Sequence, residues 1–429
     1  MKHRILGGAA AVVLTLACAP APANAAGFGI FEQGARAMGL AGAFTAQADD
    51  GSAMFHNVGG LAFLEERELR AGVTYITFTT ADFQSDDLLP GVSYEAEQER
   101  LSEFVPHLYW AQPVNRDWKF GVAVESPFGL TTEWKDPDEF AGRFLSTRAA
   151  LRAIDLNPSL GWRISPELGL GFGVVYRFSD VELERHVPFP SPFGHDLLDV
   201  GTVGLESGFE PGMGWNVGLL HRASSRISWG LSYRSRIKVD YDGTARFTQI
   251  PTGIPPLDAA VAAAIPFGRD LSVTTAIEFP DMASLGVAFA LSPDTKLELD
   301  ANWTGWSTFD EVHLSFTGLP QLSSTIEEEW EDVMNYRAGF SWRRPTGCEW
   351  RFGYVFDETP QPDEHVSPLL PDADRNGLTV GWGRQFDRTS LDLALMYLQF
   401  DERTVTVNQN HFPGTYNTTA WLFGATFGF

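Results

Sequence analysis

Patterning along the chain predicts an all-β fold: a 14-stranded antiparallel transmembrane β-barrel with an N-terminal hatch, or plug, inside the lumen. Three observations predict it: the alternation in the final strand, the regular succession of short turns and long loops, and an N-terminus that reads as a secretory leader. In the terminal run, Trp421, Phe423, Ala425, Phe427 and Phe429 share one face at period two, and Ala420, Leu422, Gly424, Thr426 and Gly428 share the other. Bulky aromatics on one side and small residues on the other call for an apolar medium outside and little room inside. A soluble edge strand rarely finishes this way without a polar cap. A terminal aromatic is how an outer-membrane strand ends.

At the other end, Lys2, His3 and Arg4 precede the apolar stretch Ile5 to Ala17, and Ala23-Asn24-Ala25 supplies a small-x-small cleavage site. This assigns residues 1–25 to a signal peptide and the mature start to Ala26. Thr15 stands three residues before Cys18, where a lipobox wants Leu, which argues against lipidation. No run of eighteen apolar residues follows the leader, so helical spans are excluded. Cys348 is then left alone, and no intramolecular disulfide framework exists. The formal net charge of −24 disfavours nucleic acid as a partner. Acids gather at 82–99 and 327–332, which read as parts of a solvated rim.

Residues 66–429 read as the barrel. Tight polar turns at 112–117, 165–167, 224–226, 292–295, 345–349 and 387–390 alternate with long connections at 84–97, 127–150, 184–211, 249–270, 317–331, 359–375 and 409–416. Six short turns and seven long loops give fourteen strands, with the end of Phe429 on the short-turn, periplasmic side. Within the strands, Leu168, Leu170, Phe172, Val174, Tyr176 and Phe178 oppose Gly169, Gly171, Gly173 and Arg177, and Leu297, Leu299, Ala301 and Trp303 oppose Lys296, Glu298, Asp300 and Asn302. Lipid on the apolar face and a polar lumen fit this pattern. So wide a lumen must hold something. The hatch, residues 26–65, lacks strand periodicity, is rich in glycine and carries ten large apolar residues that need burial.

Ala26-Gly-Phe28, Glu32-Gln33-Gly34-Ala35, Gly39-Leu-Ala-Gly42-Ala-Phe44 and Ala48-Asp49-Asp50 begin an ordered set of motifs. Ser126-Pro127-Phe128-Gly129-Leu130, Asn157-Pro158-Ser159-Leu160, Asn302-Trp303-Thr304-Gly305-Trp306, Trp350-Arg351-Phe352-Gly353-Tyr354 and Pro371-Asp372-Ala373-Asp374-Arg375 continue it. Together they resemble the FadL/TodX (OMPP1) family of outer-membrane long-chain fatty acid and hydrocarbon transporters, over essentially the whole mature chain. Where members of that family carry Asn-Pro-Ala, this chain has Asn57-Val58-Gly59, which loses the rigidity of the Pro. The resemblance implies passive, ligand-gated uptake. Outer loops capture the ligand, a pocket beside the hatch binds it, and a kink in the third strand releases it sideways into the membrane.

Candidates follow for each step. Capture falls to Phe189 and Phe193 in one external loop and to Val261, Ile265 and Phe267 in another, where Ala259 to Ile265 reads as a short helix ended by Pro266. Loop-to-loop packing is the competing role for these residues. The hatch pocket falls to Phe28, Phe31, Phe44, Met54 and Phe55, because a greasy ligand gains roughly 25 cal/mol per Å² of apolar area buried. Plug core is their competing role. Arg143 and Arg148, just before the fourth strand, are candidates for a fatty acid's carboxylate. Gly121, Pro127 and Gly129 are candidates for the kink and lateral exit.

No GxSxG, HExxH or P-loop pattern appears, so no catalytic residue is assigned and no cofactor is expected. Asp372-x-Asp374-x-Asn376-Gly377 opens like a calcium loop, but Gly383 stands where the bidentate Glu belongs, so no metal is assigned. The expected partners are hydrophobic small molecules, outer-membrane lipid and lipopolysaccharide, and the barrel-insertion machinery through Phe429; the chain reads as a monomer. The competing functions are an outer-membrane lipase or acyltransferase, which ester hydrolysis would reveal, and a porin for polar solutes, which a large bilayer conductance would reveal.

Overall fold

The computed structural model describes residues 27–429 except 90, 91, 193, 195 and 196, so the expected leader lies outside the described residues. Fourteen strands close an antiparallel barrel. They are β1 (Glu68–Leu89), β2 (Ser102–Pro113), β3 (Trp118–Glu133), β4 (Arg148–Arg163), β5 (Leu168–Pro190), β6 (Glu210–His221) and β7 (Ile227–Arg234). The remainder are β8 (Met282–Ser292), β9 (Thr295–Thr304), β10 (Val333–Arg343), β11 (Cys348–Asp357), β12 (Arg375–Gln385), β13 (Ser390–Phe400) and β14 (Gly414–Gly428). Each pairs with the next, and β1 closes on β14 from Arg70↔Gly428 to Gln84↔Thr415. All six tight turns fall where the sequence places them.

The terminal strand faces as its alternation requires. Phe423, Phe427 and Phe429 are exposed on the outer wall, whereas Leu422 and Thr426 are buried inside. Aromatic pairs belt the wall: Trp118 stacks on Trp162 with centroids 5.5 Å apart, and Tyr397 leans on Trp421 at 4.9 Å.

The external side departs from the sequence reading. Residues 84–97 and 184–211, expected as irregular loops, carry strands. Val92–Glu97 folds back on β1, and Leu197–Ser207 pairs with the outer end of β5. The alternation that drives β5 simply continues beyond the membrane through Val181, Leu183, Val187 and Phe189. Conversely, the long runs on either side of the 249–270 connection break at Ser235-Arg236 and at Pro280-Asp281. Their outer parts, Ile237–Gln249 and Asp270–Phe279, form an external sheet with Leu197–Ser207 and Glu311–Phe316. Pro280 has no N–H to give a ladder, and the Ser235 hydroxyl takes the Trp215 N–H instead, at 2.9 Å.

Two short helices, Ala35–Met38 and Ala53–His56, and the 3₁₀ turn Val58–Phe63 form the hatch, buried almost throughout. The small inward residues of the wall are the surface it lies on. A Cβ on Gly171 would sit 2.1 Å from the Val58 carbonyl oxygen, and one on Gly230 2.2 Å from that of Thr45. Wall carboxylates hold the hatch backbone: Asp300 Oδ2 accepts from Phe44 N and Thr45 N at 3.0 Å each, and Glu298 Oε1 accepts from Ala46 N and Gln47 N. Where the Pro is missing, the Asn57 side chain does the anchoring. It accepts from Gly59 N at 3.0 Å and donates to the carbonyls of Thr45 (2.7 Å) and Leu219 (3.1 Å).

Candidate lateral opening and ligand cavities

The ladder between β2 and β3 runs only from Leu108↔Val124 to Pro113↔Lys119, although β2 stays paired to β1 as far as Ser102. Between Val124 and Glu133, where Glu99 N donates to Glu133 O and the edges meet again, the wall is therefore split. Proline stands on both edges, Pro106 on β2 and Pro127 on β3, where a missing N–H is tolerated. On its other side β3 bulges between Glu125 and Phe128 in its pairing with β4. The start of the hatch takes the free edge of β3. Ile30 N donates to Pro127 O at 2.8 Å, Gly129 N donates to Phe28 O at 3.0 Å, and the Gln33 side chain bonds both backbone groups of Ser126.

A cavity of about 240 Å³ lies at this split. Its lining runs from Phe28, Phe128 and Leu370 on the inside to Phe104 and Ile154, which are exposed on the outer wall. Phe28 itself sits among aromatic rings: Trp306 at 4.6 Å, Phe309 at 5.3 Å and Trp330 at 5.6 Å between centroids. Asp372 Oδ2 accepts from Gly27 N at 3.1 Å and from the Thr359 hydroxyl at 2.6 Å, tying the hatch to the 358–374 loop.

A second cavity, about 350 Å³, lies in the external crown. Leu145, Leu183, Leu205, Leu314, Ile326 and Leu369 give it apolar walls. Two donors face it without partners. The Arg185 side chain, exposed where it lines the cavity, has no hydrogen bond or ion pair among the described residues, and the hydroxyl of Ser146, a residue only 1% exposed, is likewise unpaired. The cavity thus joins apolar walls to a polar rim that carries the Arg185 cation, the Ser146 hydroxyl and the carboxylates of Glu184 and Glu327.

The family model described as outer membrane protein transport protein (OMPP1/FadL/TodX) matches residues 16–429. The chain belongs to this family. The long-chain fatty acid transport protein of Escherichia coli K12 is 25% identical across the whole of both chains. Outer membrane protein P1 of Haemophilus influenzae is 26% identical over 90% of this chain and 91% of its own. Among solved structures, a Pseudomonas aeruginosa FadL homologue superposes with a TM-score of 0.80 at 20% identity, covering 94% of this chain and 99% of its own. The Ralstonia pickettii toluene transporter TbuX superposes at 0.66 and 15% identity, covering 92% and 98%. Like its relatives, this FadL/TodX member is an outer-membrane protein of Gram-negative bacteria.

Against this geometry the candidate residues divide. Of the five hatch residues, Phe28 alone lines the lateral cavity. Phe31 lies under the Arg337 guanidinium at 4.4 Å, Phe44 packs on Ala37 and Leu40, and Met54 and Phe55 pack on Tyr109 and Leu61. These four sit in the plug core. Arg143 and Arg148 line neither cavity; carboxylates on neighbouring strands pair with them. Arg143 meets Asp199 at 3.2 Å, and Arg148 meets Glu133 at 2.7 Å and Glu182 at 3.0 Å.

Of the capture residues, Val261 of the helix Pro255–Ala264 and Ile265 just after it enter an apolar cluster of the outer sheet, with Phe189 and Phe267 packed against it. Phe193 lies outside the described residues. Pro127 and Gly129 stand at the split. Gly121 does not: it is paired to Ala111, and a Cβ there would sit 2.6 Å from the Met54 sulfur. Asp372 and Asp374 serve hydrogen bonds to the hatch and to Thr359, and among the described residues no group of acids, histidines and cysteines is arranged to hold a metal. Burial, with Asp401 and Asp372 nearby, pushes Asp374 up to about 7, and burial pushes Glu328 of the 317–331 loop up to about 7.

Sequence reasoning missed Arg185, and a signal for it existed. Val181, Leu183, Val187 and Phe189 form the apolar face of the outer part of β5, and Arg185 interrupts that face.

Proposed function

We propose that this protein carries long-chain fatty acids passively across the outer membrane, taking them into the crown cavity and releasing them sideways between β2 and β3. The split in the wall carries the reading, because a barrel strand rarely surrenders its ladder partner unless something else uses the edge. Here the hatch covers that edge with a three-residue segment, Phe28–Ile30, held by few bonds. Gating then means that an arriving ligand competes with Phe28 for its aromatic surroundings, after which the segment leaves β3 and the cavity opens toward lipid. Arg185 and the Ser146 hydroxyl favour a ligand with an apolar tail and an anionic head over a plain hydrocarbon. The buried Ser146 hydroxyl is wasted on a molecule with no acceptor, and such unpaired donors are what give a site discrimination. The names of the curated relatives agree with that class.

Filling the split tests the reading. A Cβ on Gly129 already meets the Ile30 side chain at 2.9 Å, so Gly129→Trp should occupy the cavity. In cells lacking other routes it should abolish growth on long-chain fatty acid while the purified barrel stays folded. Normal growth with Gly129→Trp at normal surface levels would rule out exit by this path.

A further inference from the structure

The bend in β3 coincides with a buried chain of four charges. Glu125 is the last β3 residue paired with β4 before the bulge, and Asp155 is its cross-strand partner. Both are 0% exposed, and two carboxylates placed directly opposite repel unless each is neutralised. Arg234, the last residue of β7, meets Glu125 at 3.0 Å and lies 3.6 Å from Asp155. Arg177 of β5 grips both Asp155 oxygens at 2.8 Å, the paired geometry that fixes a guanidinium plane.

That plane faces the far side of the bulge. The Arg177 guanidinium lies 4.6 Å from the Phe128 ring and 4.5 Å from Phe279. Arg234 in turn lies 5.0 Å from the Phe55 ring of the hatch. The chain of charges therefore touches the residue before the bulge, the residue after it, and the plug. The lumenal pair of Arg351 and Asp392 spans no such bend: both lie on straight, continuously paired strands. Buried ion networks add little stability over apolar packing, so their use is better sought in the geometry they impose.

We propose that Glu125, Arg234, Asp155 and Arg177 act as the positioning element that holds β3 bent and so sets the aperture of the lateral opening. The proposal rests on the reading that this opening is the exit. The groups touch no ligand: Arg177 acts through Phe128, and Glu125 through the backbone at the bulge. Charge neutrality keeps the four together, and the planarity of Arg177 gives the bend one angle.

The aperture can be read directly. Nitroxide labels at Phe104→Cys and Ile154→Cys, in a Cys348→Ser background, report the distance across the split by pulsed electron resonance on the full-length barrel. Arg177→Met and Glu125→Gln should each shift or broaden that distance and lower fatty acid uptake roughly five- to tenfold. Arg177→Lys should restore part of both effects, and Arg351→Met should change neither. Should Arg177→Met fail to insert, Glu125→Gln decides alone, because it keeps shape and removes only the charge. Distances in Arg177→Met or Glu125→Gln that overlie those of the parent overturn the proposal, whatever happens to uptake. Altered distances with unchanged uptake uphold it and sink lateral release instead.

Discussion

Arg148 and Arg185 are the same side chain in different company. Arg148 lies between two carboxylates, Glu133 and Glu182, and has little left to offer a ligand. Arg185 lines the crown cavity, where Glu184 and Glu327 also stand, but among the described residues its side chain forms an ion pair with neither. A hydrogen bond to a charged group is worth about 1.5–3 kcal/mol, so Arg185→Gln should weaken fatty acid binding by roughly 10- to 100-fold and leave a neutral alkane nearly untouched. Displacement of a fluorescent fatty acid from purified protein measures the first, and the same probe challenged with alkane measures the second. A parallel loss for both ligands would remove Arg185 as the carboxylate partner. Arg148→Ala should show no preference between the ligands, since its charge is already spent within the crown. The sequence drew attention to Arg143 and Arg148 because they stand at the start of a strand. What it could not display was the acids delivered from neighbouring strands, which become partners only once β3, β4 and β5 lie side by side.

At the level of elements, the hatch and the wall are fitted to each other through backbone. Gly171 was legible as part of a small lumenal face, and the reason for its size is the hatch chain lying directly on it, as that chain also lies on Gly230 and Gly353. Overpacking a close contact typically costs about 1–3 kcal/mol, and the Val58 carbonyl cannot retreat without breaking the Asn57 anchor. Gly171→Val should therefore displace the hatch while leaving the outer wall intact. Planar-bilayer recordings should show frequent open-channel bursts where the parent barrel is nearly silent; a variant as silent as the parent would show that the hatch absorbs the change. The fourteen strands and six turns were readable because period-two alternation and turn residues are local signals. The breaks at Ser235-Arg236 and Pro280-Asp281 were not, since alternation persists across them and only the change of partners reveals a new sheet. The split beside β3 was half legible: Pro127 marks it, but the unpairing from β2 is a property of two strands and a hatch segment together.

For the whole molecule, the external crown is the part whose behaviour depends on conditions. Its loops pack acids against one another, and two of these, Glu328 and Asp374, titrate near 7 because burial, and for Asp374 neighbouring carboxylates, disfavour the charged form. An open crown would return both to the ordinary range, about 4. The closed crown then binds more protons than the open one between about pH 4 and pH 7. Closure is therefore fully favoured below about pH 4, weakens as pH rises toward 7, and changes little above it. This is the reverse of the usual salt-bridged carboxylate. One pKa unit is a factor of about ten in the open-to-closed ratio, so backbone amides of 317–331 and 359–375 should exchange at least roughly tenfold more slowly at pH 5 than at pH 8, after correction for intrinsic rates. Glu328→Gln with Asp374→Asn should abolish most of that difference, because neither replacement ionises. Equal protection at both pH values in the parent would mean that these acids do not hold the crown. The same measurement bears on capture: a crown that loosens toward neutral pH exposes the Arg185 cavity under the conditions in which a fatty acid carries its charge.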